Sequence, residues 1–484
     1  MTPLSKEQID NIASRIVGIM DGKGIIPRID ETSETQDATN MILNNGIFPD
    51  IDSAVKAARE AQLQLMNLTL AKRTEIIANI RKNMLLHAED LAKRAHSETG
   101  LGRVEDKIQK NRLVAEKTPG TEILKPTAYT GDRGLTLIEL APYGVIGTIT
   151  PVTNPTSTII CNSIGMIAAG NAVVFNVHPS AKNVSIYNIH LLNNAVVEAG
   201  GPMNLVTAIS EPTVESAQEL MQHPGVRLLV VTGGAGVVKA AMTSGKRAIC
   251  AGPGNPPVVV DESADIEAAA RNIVRGASLD NNIICVDEKE VFVVESIADQ
   301  LLSALAGNNA IILTAEQIQQ LEKVIIAQNN GPGKPAEMEK SLVGKNVQVI
   351  LSKIGLHVAD NIRLAIAPVE REHPLVWTEQ MMPVIPLVRM PDADSAIDLA
   401  KEAEQGYGHS AIMHSKNLDN LSRMAKEMNC SIFVKNGPAY SGLGFGGEGY
   451  CSFSIASPTG EGLTGPRSFS RERRCVLVDH FRIV

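Results

Sequence analysis

From about Leu135 onward the apolar residues of this chain fall into short β-branched runs that alternate with longer segments of helical spacing. TLIELAPYGVIGTITP is a β-rich run closed by Pro151. NSIGMIAAG then reads as helix, AVVFNVHP as strand, SIYNIHLLNNAVVEAG as helix, NLVTAI as strand, SAQELMQHP as helix, and VRLLVVTGG as a strand entering a glycine-rich turn. The pattern resumes after Pro257 with PVVVD, a helix through Ala269, EVFVVES, a helix through Leu305, and AIILT. Strands separated by helices cannot pair through tight hairpins, so each connection crosses over its sheet. The expected fold class is therefore α/β, built from parallel βαβ units. No repeat of 20–50 residues competes with this reading.

Upstream, Ile9, Ile12, Ile16 and Ile19 or Met20 recur at helical spacing, with Lys6, Asp10 and Arg15 on other faces, which predicts a short amphipathic helix over residues 5–20. DGKGIIPRIDETSETQDATN is polar and reads as a linker, assigned to residues 21–45. The globular body is expected to begin near Gly46. IDSAVKAAREAQLQL and AKRTEIIANIRKNMLLHAEDLAKRAHSETG follow as helical segments, the second closing on Gly100 as a C-terminal stop.

With 484 residues, 44% hydrophobic and 20% charged, two or three domains are expected, with cores large enough to need no disulfide or metal. A net charge of −8 offers no cationic field, so neither nucleic acid nor a membrane surface is an expected partner. The basic run RERR at residues 471–474 reads as a solvated face or a subunit contact. No stretch of about 18 apolar residues exists, so no membrane helix is expected. Six cysteines occur without a CxxC pair or zinc spacing, and MTPLSKEQID lacks the features of a secretory leader. The expectation is a cytoplasmic protein with reduced thiols and no metal.

Three features carry chemistry. In VRLLVVTGGAGVVKAAM a strand runs into Thr232, Gly233 and Gly234 before a helix, where backbone N–H groups approach a pyrophosphate, although a tight turn needing glycine explains the sequence equally well. Gly442, Gly444 and Gly447 match GxGxxG only formally, because EGYCSFSI after them reads as loop or strand, so this segment is taken as a flexible loop. Cys285 differs from the other cysteines: a polar Asp280-Asn281-Asn282 loop precedes it and a strand follows, which suits a thiol facing a cleft, whereas most lone cysteines are buried small hydrophobes. Asn154, between Pro151 and Pro155 in TPVTNPTSTI, suits an oxyanion donor, and helix capping accounts for it as well.

Taken in order, TPVTNP, VVTGGAGVV, AGPGNPPVVVDESAD, GASLDNNIICVDEK, TEQMMPVIP, SIFVKNGPAY and GEGLTGPRSF with RRCVLVDHFRIV resemble the aldehyde dehydrogenase superfamily from about Gly46 to Val484. The branch resembled is that of the CoA-acylating aldehyde dehydrogenases of bacterial microcompartments. The resemblance implies that Cys285 is the nucleophile and that Asn154, with the backbone N–H of Cys285, forms the oxyanion hole. It places Glu379 at the nicotinamide ribose, Thr232, Gly233 and Gly234 at the pyrophosphate, and Thr150, Pro151 and His178 at the nucleotide. It implies a Rossmann-type cofactor domain over 46–255, an α/β catalytic domain over 256–440, and a return to the cofactor domain over 441–484. A β-flap near 128–141, completed by the C-terminal strand, would join subunits into a dimer or tetramer. It also makes residues 5–20 similar to an encapsulation peptide that docks on shell proteins and places the chain in a microcompartment lumen; a helix packed on the enzyme's own surface is the alternative.

One departure bears on the acceptor. Hydrolytic members carry a water-activating glutamate upstream of the cysteine, and here the matching position, 34 residues before Cys285, is Ala251. A thiol acceptor needs less activation than water, because a few per cent of it is already thiolate near neutral pH. The expected reaction is conversion of a short aldehyde, propionaldehyde or acetaldehyde, with CoA and NAD (NADP as the alternative) into an acyl-CoA. A hydrolytic enzyme of the same fold and an inactive scaffold subunit are the rival readings.

Overall fold

A computed structural model describes residues 46–484, so the amphipathic helix and linker expected before Gly46 lie outside the described residues. Among the described residues two all-parallel sheets form, as the alternation of strands and helices requires. The first contains β1 (Ile47–Phe48), β4 (Val145–Ile149), β5 (Ala172–Asn176), β6 (Val206–Ile209), β7 (Leu228–Thr232) and β8 (Ala248–Ala251), in the order β1-β6-β5-β4-β7-β8. The second contains β9 (Pro257–Val260), β10 (Glu290–Val294), β11 (Ala310–Ile312), β12 (Leu364–Pro368), β13 (Val384–Met390), β14 (Ser410–His414) and β15 (Ile432–Lys435), in the order β11-β12-β13-β10-β9-β14-β15. All residues of β4, β5, β6, β9 and β10 are buried. Helices cover both faces, which is why these strands read as unbroken apolar runs rather than alternating ones.

The helices before the first sheet are α1 (Ile51–Met66), α2 (Leu70–Leu86), α3 (Ala88–Thr99) and α4 (Val104–Lys117). The long segment ending at Gly100 is thus two helices rather than one, broken at His87, whose backbone leaves helical geometry at φ −95° and ψ 5°. No glycine or proline marks the break, so the sequence pattern runs straight through it. Gly100 does end α3, in left-handed conformation at φ 67°. α5 (Pro155–Ala168) is buried at all fourteen positions, polar ones included, because it lies between the first sheet and helices α2 and α4.

TLIELAPYGVIGTITP also divides. Its first half is β3 (Gly134–Pro142), which leaves the first sheet and pairs antiparallel with β2 (Thr127–Gly131) on one side and β16 (Ser470–Val478) on the other. The division falls at Tyr143 and Gly144, whose backbone N–H groups both donate to Asn171 Oδ1 at 2.8 and 3.1 Å. β16 leaves Val476, Leu477 and Val478 exposed along the edge of this three-stranded sheet.

Phe175 lies in β5, between β4 and β6, with no exposed surface. Phe175→Ala should lower unfolding free energy by about 3–5 kcal/mol in urea denaturation. A loss under about 1 kcal/mol would mean that β5 does not carry the core.

Candidate active site

The connections of the first sheet fix where a ligand binds. The chain runs outward through β4, β5 and β6, then returns past β4 to form β7 and β8. Loops after β4 and β7 therefore diverge to opposite faces, and a crevice opens at their carboxyl ends. Thr150 and Pro151 follow β4 and His178 follows β5; beyond α6 (Lys182–Glu198) and α7 (Val214–Gln222), Thr232, Gly233 and Gly234 lead from β7 into α8 (Ala235–Met242). These six residues, together with Asn154, Cys285 and Glu379, line a single cleft of about 750 Å³. The structure thus brings together all nine residues singled out from the sequence. A side chain added at Gly234 or Gly236 would meet nothing within 4 Å, so the backbone at the start of α8 borders open space. Thr150 Oγ1 is buried there without a partner among the described residues. An orphan hydroxyl beside a bare helix N-terminus fits the ribose and phosphates of a nucleotide. Thr232 is tied down by its own hydroxyl, 2.8 Å from Ser454 Oγ.

Cys285 is held by a strained turn. Asp280, Asn281 and Asn282 are left-handed in succession, at φ 46°, 57° and 65°. Asn and Asp tolerate that region better than other residues with a Cβ, yet three in a row persist only where the surroundings over-determine them. Asn281 Nδ2 donates to Gly344 O and Asn346 Oδ1, both at 2.9 Å. Asn282 Nδ2 donates to Ala277 O and Glu288 O at 2.8 and 2.9 Å. Lys289 Nζ spans the turn, donating to Asn282 O at 2.8 Å and Asn282 Oδ1 at 2.6 Å. Asp280 accepts from Arg103 N at 2.6 Å and pairs with Lys107 at 3.0 Å and with Lys110. Gly102 is required beside it, at φ 71°, because a Cβ there would fall 2.0 Å from Asp280 Oδ1.

The same cluster orients Asn154. Lys110 Nζ donates to Asn154 Oδ1 at 2.6 Å, which fixes which end of the amide is the acceptor. Asn154 stands at the N-cap of α5, but its side chain makes no capping hydrogen bond. The capping explanation for this residue therefore fails, and the Nδ2 group, 3.1 Å from Thr153 Oγ1, is left at the cleft. Lys107, Lys110 and Asp280 are each at most 3% exposed. Removing one partner from such a buried cluster costs about 3–5 kcal/mol.

Electrostatics decide the resting state. Burial pushes the Cys285 thiol up to about 12, with the Glu379 carboxylate adding to the shift and Lys289 opposing it. Glu379 is itself raised by burial, against the pull of Lys289 and the N–H of Gly254, which donates to it at 3.3 Å. Asp287, Glu288, Lys289 and Glu290 have no exposed surface, although a run of four charges reads as a solvated face. Burial raises Glu288 to about 8 while one of its oxygens accepts from Ala439 N at 2.8 Å. His409, also buried, is lowered to about 4 by burial and by Lys289, and is neutral at physiological pH. A Cβ on Gly254 would sit 2.8 Å from Cys285 O and 2.9 Å from the His409 ring, so the imidazole is a close neighbour of the Cys285 backbone. Lys107, Lys110, Lys289 and His409 were not identified from sequence, where isolated charges on a polar helix or strand look solvated. Ala251 ends β8 and is buried, while the next two residues, Gly252 and Pro253, line the cleft.

Residues 29–330 match the model of the aldehyde dehydrogenase family. The chain is 51% identical over 455 residues to an acetaldehyde dehydrogenase (acetylating) of Escherichia coli, covering 94% of this chain and 96% of that protein. It is 44% identical over 443 residues to a propanal dehydrogenase (CoA-propanoylating) of Citrobacter freundii, covering 91% and 95%. Among solved structures, a propionaldehyde dehydrogenase of Rhodopseudomonas palustris with bound CoA and an acylated cysteine superposes with a TM-score of 0.87 at 48% identity, covering 90% of this chain and 99% of that one. A propionaldehyde dehydrogenase from the fucose utilisation microcompartment of Clostridium phytofermentans gives 0.88 at 47% identity, covering 91% and 100%.

With its thiol held protonated, Cys285 in the free protein should react slowly with iodoacetamide at neutral pH. Its rate, followed by peptide mass spectrometry, should climb about tenfold per pH unit with no plateau below pH 9. Glu379→Gln removes a nearby negative charge and should move that rising limb to lower pH. A wild-type plateau reached by pH 8 would show that the thiol is not raised.

Proposed function

The chain belongs to the aldehyde dehydrogenase family, and from that premise we propose the activity of this site: it oxidises a short aldehyde and passes the acyl group to CoA. The carrying observation is the meeting, in one cleft, of the Cys285 thiol, an Asn154 amide whose oxygen is held by Lys110 so that its donor end is left at the cleft, and a glycine turn at a helix N-terminus. Acylating enzymes for acetaldehyde and propanal, at 51% and 44% identity over most of the chain, support the CoA acceptor and the short substrate.

The roles follow from the geometry. Cys285 gives up its proton to solvent in the cleft, attacks the aldehyde carbon and forms a C–S bond, and the carbonyl oxygen becomes an oxyanion. Asn154 Nδ2 and the Cys285 N–H donate to that oxygen, each such donor lowering the barrier by about 3–4 kcal/mol. Lys110 keeps the amide from rotating its oxygen toward the negative charge. A nicotinamide cofactor held in the cleft by Glu379 and the Thr232–Gly234 turn would supply the hydride acceptor, so that the aldehyde carbon reaches the thioester level as the carbonyl re-forms. The acyl group stays on Cys285 until the CoA sulfur attacks it; the new C–S bond forms, the old one breaks, and the Cys285 thiolate is released. One thioester replaces another, so transfer needs no water-activating base, consistent with Ala251 in place of a carboxylate. His409, neutral and close to the nucleophile's backbone, is the candidate to take up the proton of the incoming thiol.

Glu379 and the Thr232–Gly234 turn would hold the cofactor's ribose and pyrophosphate, with Thr150, Pro151 and His178 around the remainder. We assign NAD as cofactor with NADP tolerated. Asn176, Val177, His178 and Pro179 line the cleft at the end of β5 and present no carboxylate to repel a 2′-phosphate. We further assign residues 5–20 to docking on a microcompartment shell and the β2-β3-β16 sheet to self-association. A relative from such a compartment supports the first, and the exposed edge of β16 the second.

Cys285→Ala should abolish acyl-CoA formation and labelling by aldehyde with NAD; turnover retained in that variant would end the assignment. Ala251→Glu should raise the ratio of free acid to acyl-CoA, measured by chromatography of products from propanal with and without CoA. An unchanged ratio would show that position 251 does not set the acceptor.

A further inference from the structure

An ion pair stands on the two loops that frame the β5 end of the cleft. Lys182, which opens α6, donates to both oxygens of Glu211 at 2.8 Å. Lys182 is three residues past Pro179 and Glu211 two residues before Thr213, and both Pro179 and Thr213 line the cleft. The same loops are laced together by neutral side chains. Asn176 Nδ2 donates to Thr213 O at 3.2 Å, and Ser216 Oγ donates to Asn176 Oδ1 at 2.6 Å. The pair therefore keeps a fixed place relative to the end of β5.

In a doubly wound sheet, side chains beyond the strand next to the switch point read the ribose 2′ position. A carboxylate there takes the hydroxyl of NAD, and a cation accommodates the phosphate of NADP. β5 is that strand, and Asn176, Val177, His178 and Pro179 bring neither charge to the cleft. His178 Nδ1 accepts from Ser180 N at 3.1 Å, which leaves the ring proton on Nε2, and partial burial lowers its pKa. It is thus a neutral donor at physiological pH. Glu98 is engaged where α6 begins, accepting from Asn183 N and Val184 N at 2.8 and 2.7 Å. The first formal charges met after β5 and after β6 are Lys182 and Glu211.

Their pairing decides what a 2′-phosphate meets. The Glu211 side chain is 75% exposed and that of Lys182 27%, so the contact is open to solvent and weakly held. A phosphate dianion can compete with one carboxylate for the ammonium, whose flexible stem lets it change partner. A neutral 2′-hydroxyl gains little from either charge.

We propose that Lys182 and Glu211 set the cofactor preference of this cleft: Lys182 is the cation that takes the 2′-phosphate of NADP, and Glu211 competes for it and so favours NAD. The assignment rests on the reading of the cleft as a nicotinamide dinucleotide site and adds the residues that discriminate between the two dinucleotides.

Titration of the full-length protein with NADPH and separately with NADH, followed by nicotinamide fluorescence, tests it without turnover. Glu211→Gln should tighten NADPH at least fivefold, and Lys182→Gln should weaken it at least fivefold (about 1 kcal/mol each). NADH affinity should stay within twofold of wild type in both variants. NADPH affinity within twofold of wild type in either variant would overturn the proposal. So would NADH and NADPH shifting together, which is the mark of a disturbed loop. A wild-type protein that binds neither nucleotide would overturn the dinucleotide reading itself, and this assignment with it.

Discussion

The buried contact of Asp280 with Lys107 and Lys110 is the constraint on which the rest of the site depends. Three successive left-handed residues cost of order 1–3 kcal/mol each, and nothing in a free loop would hold them. Here one carboxylate, at full burial, accepts from a backbone N–H and from two ammonium groups. Burial alone would push that carboxyl up, but Lys107 and Lys110 outweigh it and hold it below the ordinary carboxylate range. The cluster therefore stays ionised, pins the turn that presents Cys285, and through Lys110 sets the amide of Asn154. The Cys285 thiol and the Asn154 amide are positioned by the same charge.

That coupling joins two parts of the chain with separate architectural origins. Asn154 comes from the switch point of the first sheet, where the strand order reverses between β4 and β7. Cys285 comes from the segment before β10 of the second sheet. α4, which carries both lysines, bridges them. A binding crevice is a generic property of parallel sheets with this topology, whereas the chemistry within it depends on polar side chains sealed behind it.

The sequence was informative where burial follows pattern. Apolar runs and their spacing revealed the parallel α/β class, and the glycine turn after β7 and Asn154 after β4 could be placed because they sit at strand ends. It was misleading where polar residues are buried. Lys107 and Lys110 lie on a helix with few apolar positions, and Asp287–Glu290 looks like a solvated run, so neither could be told from surface without knowing what packs on it. Boundaries failed where the backbone turns without glycine or proline, as at His87. The division of β3 from β4 is invisible in the apolar pattern, because both halves are β-rich, and only the family resemblance, with its flap near 128–141, set β3 apart. Asn154 shows the limit from the other direction: capping and oxyanion donation call for the same residue type, and only the missing capping bond and the lysine on its oxygen exclude the first.

The raised thiol at Cys285 has a consequence beyond catalysis. Peroxide attacks thiolates and not thiols, and oxidation past the sulfenic acid cannot ordinarily be reversed. A sulfur kept protonated by its surroundings is therefore shielded from oxidants for as long as those surroundings hold. Burial that slows the resting thiol also preserves it.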